Sequence, residues 1–305
     1  MYSSENKFKH LKMKKKYLLI LFVIFQYSSE AQQLPIINQF QYSRLFYNPA
    51  FAGSNERLNA MVMVRKQWVS TDGSPALGLL SFDAPIKKTN VALGATFSSD
   101  RIGVTNQTDV GLNGSYKLQL NKETYLNLGM KLGVSFYKSN LTSLSLYDPN
   151  DQVFASNING AVLPRVGFGA YLHSINYYAG ISAPDIITYD ANNVFARSGN
   201  VSTLKRNYVA MGGLYLNLSN KIKFIPSAMI KYFPNTPLSL SLSAGLKLTD
   251  NIQAGVAYRT PKTFSFFGQF FLNDKIRLGT AYELPLSKVN AWGSIEVLLT
   301  YGLLQ

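Results

Sequence analysis

Cysteine is absent from the 305 residues, which excludes disulfide staples, thiolate metal sites and the lipidated N-terminal Cys of a lipoprotein. Charge is scarce: Asp, Glu, Lys and Arg make up 15% of the chain, against roughly 25% in an average soluble domain. Beyond residue 31 no apolar run approaches the roughly 18 residues that a spanning helix requires, so a helical membrane protein is excluded. Histidine is nearly missing as well. Past that point only His173 remains, and no nucleophile or orienting group stands out beside it in the sequence. Asp and Glu number 16 and none shows metal-ligand spacing. No enzyme, metal or cofactor is expected.

What is present is aromatic, glycine-rich and strictly patterned. The chain holds 19 Tyr, 19 Phe and 22 Gly. From Leu238 to Leu248 every second residue is apolar, and the residues between are small or polar, the period of a strand with two different faces. Val110–Leu120 repeats the pattern, with Leu112, Tyr116 and Leu118 opposed to Asn113, Ser115, Lys117 and Gln119. Leu126–Phe136 repeats it again. In a soluble sandwich the apolar face points inward; in a membrane barrel it points to lipid and the small polar set lines the lumen.

The N-terminus chooses between them. Lys9, Lys12, Lys14, Lys15 and Lys16 precede an apolar stretch from Tyr17 to Phe25, too short for a stable anchor, which reads as a secretory signal peptide. Ser29-Glu30-Ala31 places cleavage after Ala31, with Gln32 as the new terminus, and either Met1 or Met13 can start translation. The expected organisation is a signal peptide over 1–31, an N-terminal periplasmic or plug segment over 32–56, and an all-β transmembrane antiparallel barrel over 57–305. Of the +14 formal charge most stays on the mature chain, either on solvated loops or as a basic lumen or rim that attracts acidic partners or lipopolysaccharide phosphates. Nucleic acid is remote from an exported chain.

Fourteen strands are expected, near 57–69, 75–83, 89–98, 108–120, 123–138, 164–174, 176–184, 205–219, 221–233, 237–249, 251–260, 262–272, 274–285 and 290–303. The triplets Asn121-Lys122-Glu123, Ser219-Asn220-Lys221, Thr249-Asp250-Asn251 and Asn273-Asp274-Lys275 all follow even-numbered strands. The long connections near 139–163 and 185–204 follow odd-numbered ones. With the first strand leaving the periplasm, tight turns fall inside and long loops outside, as bacterial barrels require. The loops carry Asp148, Asp151, Asn157, Asn159, Asn192 and Asn193, either a hydrophilic coat or a contact surface for a partner.

Lys117, Lys131, Arg165, Lys247, Arg259, Arg277 and Arg65 are expected to face the lumen, with Asp109 and Glu283 opposing them. They either pair and plug a narrow barrel or line a path for anions. Gly167-Phe168-Gly169 lies mid-strand with no following helix, so it is no phosphate loop and instead allows close packing or curvature.

The segment Tyr42-Ser43-Arg44-Leu45-Phe46-Tyr47-Asn48-Pro49-Ala50-Phe51-Ala52-Gly53, followed by Arg65-Lys66-Gln67-Trp68 and Gly73-Ser74-Pro75, resembles the opening of the PorP/SprF family of type IX secretion system membrane proteins. Leu93-Gly94, Asp100-Arg101-Ile102-Gly103, Tyr178-Ala179-Gly180-Ile181-Ser182-Ala183-Pro184 and Gly255-Val256-Ala257-Tyr258-Arg259 extend the resemblance over nearly the whole mature chain. It implies an outer-membrane component supporting export and surface anchoring of a large adhesin, of the gliding-motility kind, that carries a type IX C-terminal domain. Other type IX components, outer-membrane lipid and lipopolysaccharide are the further partners. The resemblance also implies that Tyr47, Asn48, Pro49, Ala50 and Gly53 form a plug or clasp braced by Arg65, Gln67 and Trp68, unless these residues only anchor the barrel end. The Asn-Pro-Ala stretch is shared with barrels of the fatty-acid-transporter type, so a channel or hydrophobic-solute transporter is the alternative. The chain closes on Tyr301-Gly302-Leu303-Leu304-Gln305, without a terminal aromatic.

Overall fold

A computed structural model of the chain describes residues 35–144, 155–187, 206–219, 221–234, 236–286 and 293–302. The segment expected to be a signal peptide, Asp148, Asp151, Asn192, Asn193 and the last three residues lie outside them. Among the described residues the strands are β1 (Asn59–Lys66), β2 (Ala76–Pro85), β3 (Val91–Ile102), β4 (Thr105–Gln119), β5 (Tyr125–Ser139), β6 (Ile158–His173) and β7 (Tyr177–Asp185). After them come β8 (Asn207–Leu214, resumed at Leu216–Asn217), β9 (Lys223–Tyr232), β10 (Ser239–Lys247), β11 (Ile252–Arg259), β12 (Thr263–Phe271), β13 (Ile276–Pro285) and β14 (Ser294–Tyr301). Each pairs antiparallel with its sequence neighbours, and β14 returns to β1 with Val64 opposite Val297 and Val62 opposite Leu299. The sheet has no free edge, which is what lets strands cross a bilayer with every backbone group paired.

Alternation decides which face meets lipid. Along β14 the burial alternates without a fault, Ser294, Glu296, Leu298 and Thr300 inside and Ile295, Val297, Leu299 and Tyr301 outside. In β10, Ser241 and Ser243 are buried while Leu242 and Leu246 stand exposed. The exposed outer surface is thus a belt of Leu, Val, Ile, Phe and Tyr, as hydrocarbon demands.

The tight turns are closed by their first residue. Asn121 Oδ1 accepts from the N–H groups of Glu123 and Thr124 at 3.0 and 2.9 Å, and Asn273 Oδ1 from Lys275 and Ile276 at 2.8 and 2.9 Å. The hydroxyls of Ser219 and Thr249 do the same for Ile222 and Ile252 at 3.2 and 3.1 Å. These side chains replace a backbone acceptor and fix the hairpins. All four lie at one end of the barrel, and the strand ends at Ser139, Ile158, Asp185 and Asn207 lie at the other.

Three local departures from the expected pattern have physical causes. The outer end also carries tight turns, at Gly103-Val104 and at 260–262, because β3 and β4 extend beyond their expected limits and Gly103 adopts φ +57, a value glycine takes without steric cost. Second, β6 starts at Ile158, so the last stretch, 158–163, of the connection expected near 139–163 is strand; Asn159 lies on that strand. Asn157 closes the same connection by accepting from the Thr142 N–H and hydroxyl, both at 3.0 Å. Third, the lumen is not lined by small polar residues all round. Met61 and Met63 on β1, Leu77 and Leu79 on β2, Met211 on β8, Met229 on β9 and Leu298 on β14 face inward and are buried. Strands β1 and β2 therefore carry apolar side chains on both faces, the inner ones, Met61, Met63, Leu77 and Leu79, packing with the N-terminal segment between polar Asn59, Arg65, Ser81 and Asp83.

Candidate functional site: the plug and its sockets

Residues 35–56 occupy the lumen as three short helical turns, Phe40–Tyr42, Arg44–Tyr47 and Pro49–Phe51, folded across the barrel. Ile37, Phe40, Leu45, Tyr47 and Phe51 form one buried cluster with the inward Met and Leu side chains of the wall. Burying several large side chains at about 1.5–3 kcal/mol each holds the segment inside.

Directional contacts set its register. Asn48 is fully buried; its amide donates to the carbonyls of Ala170 on β6 at 3.0 Å and Ile181 on β7 at 3.3 Å. Its Oδ1 accepts from Ala50 N–H at 2.9 Å, capping the turn that Pro49 begins. The wall opposite is glycine for a steric reason. A Cβ on Gly169 would strike the Asn48 side chain and Pro49, and one on Gly129 would strike the Ala50 backbone. Tyr47 offers its carbonyl to Ser182 Oγ at 2.8 Å, and Ala52 offers its own to Ser115 Oγ at 2.7 Å. Gly53, at φ +71, donates its N–H to Asp83 Oδ2 at 2.9 Å, and Asp83 also receives the Asn59 amide at 2.9 Å.

Glu296 on β14 holds the other end of the segment. Its carboxylate accepts from the N–H groups of Asn38 and Gln39 at 2.9 and 3.1 Å and lies 3.5 Å from Arg65 Nη1. Arg65 Nη2 reaches both Glu283 oxygens at 3.1 Å. Arg259 spans Glu283, at 2.9 Å, and the Asn38 side-chain oxygen, at 3.0 Å. Across the lumen, Arg165 binds Asp109 at 2.6 Å and also pairs with Asp185, while Lys131 lies 3.2 Å from Asp185. A small cavity between this second cluster and the plug is lined by Phe46, Thr96 and Ser98 together with those charges.

The remaining expected lumen cations also face inward. Lys117 pairs with Glu56 of the plug at 2.9 Å. Arg277 stacks on Tyr42 at 4.1 Å and donates to Thr300 at 3.2 Å. Lys247 lies over the Phe271 ring at 5.2 Å. Burial pushes the Tyr42 phenol up to about 12. It stays protonated, and its oxygen accepts from the Gln253 amide. Arg44 reaches out from the plug to the hydroxyls of Tyr171 and Tyr215 at 2.9 and 2.7 Å and stacks over Tyr178 at 3.8 Å.

Gln67 and Trp68 do not brace the plug. They follow β1 into the 67–75 connection at the outer end, where the Gln67 N–H bonds Pro75 and Trp68 is 40% exposed. Only Arg65, one turn of the strand pleat lower, points at the segment, and it acts through Glu296. His173 stacks beside Tyr125 and Tyr171 at 5.6 and 5.4 Å.

Sequence reasoning passed over Arg44, Asp83, Asp185, Lys231 and Glu296. Alternation alone places Asp83 and Glu296 inside, each an acid between two apolar residues. Asp185 was not reachable that way: Tyr178, Gly180, Ser182 and Pro184 are the inward set, and the irregularity between Ser182 and Asp185 turns the next residue inward as well.

A closed antiparallel barrel with a lipid-facing apolar belt, its lumen occupied by its own N-terminal segment, defines an outer-membrane protein, and among the described residues no helix is long and apolar enough to cross a membrane. Residues 29–301 match the family described as type IX secretion system membrane protein PorP/SprF, and the chain belongs to that family. Family and fold together make it an outer-membrane component of the type IX secretion class. No curated protein matches. Among solved structures, the CymD monoaromatic hydrocarbon channel is similar at 13% identity and TM-score 0.50, over 89% of this chain and 94% of that one. A Pseudomonas aeruginosa FadL homologue is similar at 13% identity and TM-score 0.46, over 90% and 96%. Acinetobacter baumannii Omp33 is similar at 10% identity and TM-score 0.46, over 81% and 98%.

Proposed function

We propose that this barrel supports the export of a partner adhesin of the gliding-motility kind and anchors it at the cell surface, without conducting it. The observation that carries this reading is the plug: with Asn48 hydrogen-bonded to two strands and Glu296 gripping the segment's start, the lumen is filled by the chain itself. A barrel of this width has no room for a folded protein in any case, so translocation falls to a larger pore and this chain receives or holds the product. The outer connections 140–157 and 186–206 are the surface offered to the adhesin, and other type IX components are its neighbours in the membrane.

The test is pull-down from detergent-solubilised outer membranes, with identification of what stays bound. A large secreted protein carrying a type IX C-terminal domain is expected. Deleting residues 186–203 is expected to leave a heat-modifiable barrel in the membrane while impairing partner export; normal export by that variant removes the connection from the mechanism.

The fold likeness to the CymD hydrocarbon channel keeps a second reading, a channel for hydrophobic solutes. That reading requires the plug to move or the wall to open sideways. Uptake of a hydrophobic solute lost on deletion of this protein, with no secreted partner recovered, would select it.

A further inference from the structure

Among the residues of the described strands, three charged side chains stand at lipid-facing parity, and all three are cations at outer strand ends. Lys66 closes β1, Arg101 is one residue from the end of β3, and Lys138 is one residue from the end of β5. Strand register places them in one row: Lys66 opposite Ala76, Ala76 opposite Arg101, Arg101 opposite Asn106, and Asn106 opposite Lys138. Lys66, Arg101, Asn106 and Lys138 are all exposed. With adjacent strands about 4.8 Å apart, each cation is two strands, roughly 10 Å at the backbone, from the next.

Nothing in the wall neutralises this row. Among the described residues no carboxylate lies within ion-pair distance of Lys66, Arg101 or Lys138; Lys66 gives one N–H to the Ser74 carbonyl at 3.1 Å and keeps two free. Asp100, beside Arg101, lies on the lumen-facing side of β3. Toward the membrane centre the same strands turn apolar, with Val64, Phe97, Val110 and Phe136 exposed, and Ser99, whose hydroxyl donates to Asn106 Oδ1 at 3.3 Å, stands between. Two residues along a strand span about 7 Å, so long cationic side chains anchored there can cover hydrocarbon with their stems and keep their heads in the headgroup layer. The other outer strand ends differ: β8, β9, β11 and β13 present Tyr208, Tyr232, Tyr258 and Leu284. The basic row is confined to the β1–β5 sector.

We propose that the outer β1–β5 sector binds one molecule of bisphosphorylated lipid A, the phosphoglycolipid of the outer leaflet. Unpaired cations spread over about 20 Å of wall suit a wide head with more than one phosphate, and phosphate oxygens are the acceptors that Arg and Lys donors bind best. Lys66, Arg101 and Lys138 take the phosphates, Asn106 and Ser99 meet the sugar hydroxyls, and the acyl chains lie on Val64, Phe97, Val110 and Phe136. A zwitterionic phospholipid, with one phosphate and its own cation, leaves most of the row unneutralised. The site rests on the orientation of the barrel in the outer membrane and is independent of any secreted partner.

Native mass spectrometry of the full detergent-solubilised barrel, titrated with bisphosphorylated lipid A, with dephosphorylated lipid A and with inorganic phosphate, tests this. One saturable lipid A adduct per chain is expected, with much weaker binding of the dephosphorylated lipid and none of inorganic phosphate at the same concentrations. Arg101→Gln should weaken lipid A binding roughly fivefold, and the combined Lys66→Gln, Arg101→Gln and Lys138→Gln variant about a hundredfold. Lys122→Gln, an exposed cation on a turn at the opposite end, should leave it unchanged. Heat-modifiable migration confirms that each variant is folded; should the combined variant not fold, Arg101→Gln against Lys122→Gln carries the comparison. Equal binding of the dephosphorylated lipid, or lipid A binding indifferent to the row variants, overturns the site. A combined variant that keeps lipid A but loses a secreted partner overturns it as well and assigns the row to that partner.

Discussion

Two ionic clusters face each other across the lumen and do different work. On β4 to β7, Asp109, Lys131, Arg165 and Asp185 match two acids to two cations on neighbouring strands and make no hydrogen bond to the plug. On β1, β9, β11, β13 and β14, Arg65, Lys231 and Arg259 outnumber Glu283 and Glu296, and this cluster binds the plug through Asn38 and Gln39. The balanced cluster staples wall to wall. The other cluster also holds the first residues of the N-terminal segment, so its charges tie that segment to the wall.

That contrast can be broken by substitution. The largest effect is expected from Glu296→Ala, which leaves two plug N–H groups without an acceptor and Arg65 with Glu283 alone in a dry interior. Loss of a buried ion-pair partner costs about 3–5 kcal/mol, visible as a lowered unfolding midpoint in urea, and plug release should raise conductance as well. Asp185→Ala should carry a stability loss of similar order, about 3 kcal/mol, by leaving Arg165 and Lys131 with Asp109 alone, yet conductance should stay closed. A conducting Asp185→Ala barrel would erase the distinction between the clusters.

Asn48→Ala comes next in size. It removes two buried hydrogen bonds and a turn cap, for about 2 kcal/mol, and should loosen the plug without expelling it, seen as faster hydrogen exchange at the Ala50 amide. Smallest is Trp68→Ala: an exposed residue in an outer connection should change stability by no more than about 0.5 kcal/mol, measured by the same urea titration. A larger loss would show that Trp68 does brace the barrel.

How much of this was legible follows from periodicity. Strands with one lipid face and one small polar face, such as β10 with Leu242 between Ser241 and Ser243, declare both their existence and their orientation. The lumen cations were legible for the same reason, since Lys131, Arg165 and Arg277 sit at inward parity. Parity said nothing at Met61, Met63, Leu77 and Leu79, where both faces are apolar because the N-terminal segment packs on the inner one, and it failed at Asp185 because a bulge resets the alternation. The plug's sockets were not legible at all. Gly129 and Gly169 look like any strand glycine until Asn48, Pro49 and Ala50, far away in sequence, are laid against them. Trp68 misled for the opposite reason. It stands only three residues after Arg65, but β1 ends between them at Lys66, and beyond that point the chain has left the lumen.

Single-channel conductance in planar bilayers tests most directly whether the N-terminal segment closes the barrel. The wild-type chain should show little or no conductance, and Gly169→Leu, whose side chain takes the space of Asn48 and Pro49, should open a steady pore in a barrel that still migrates as folded. Equal, open conductance in both proteins would contradict the account.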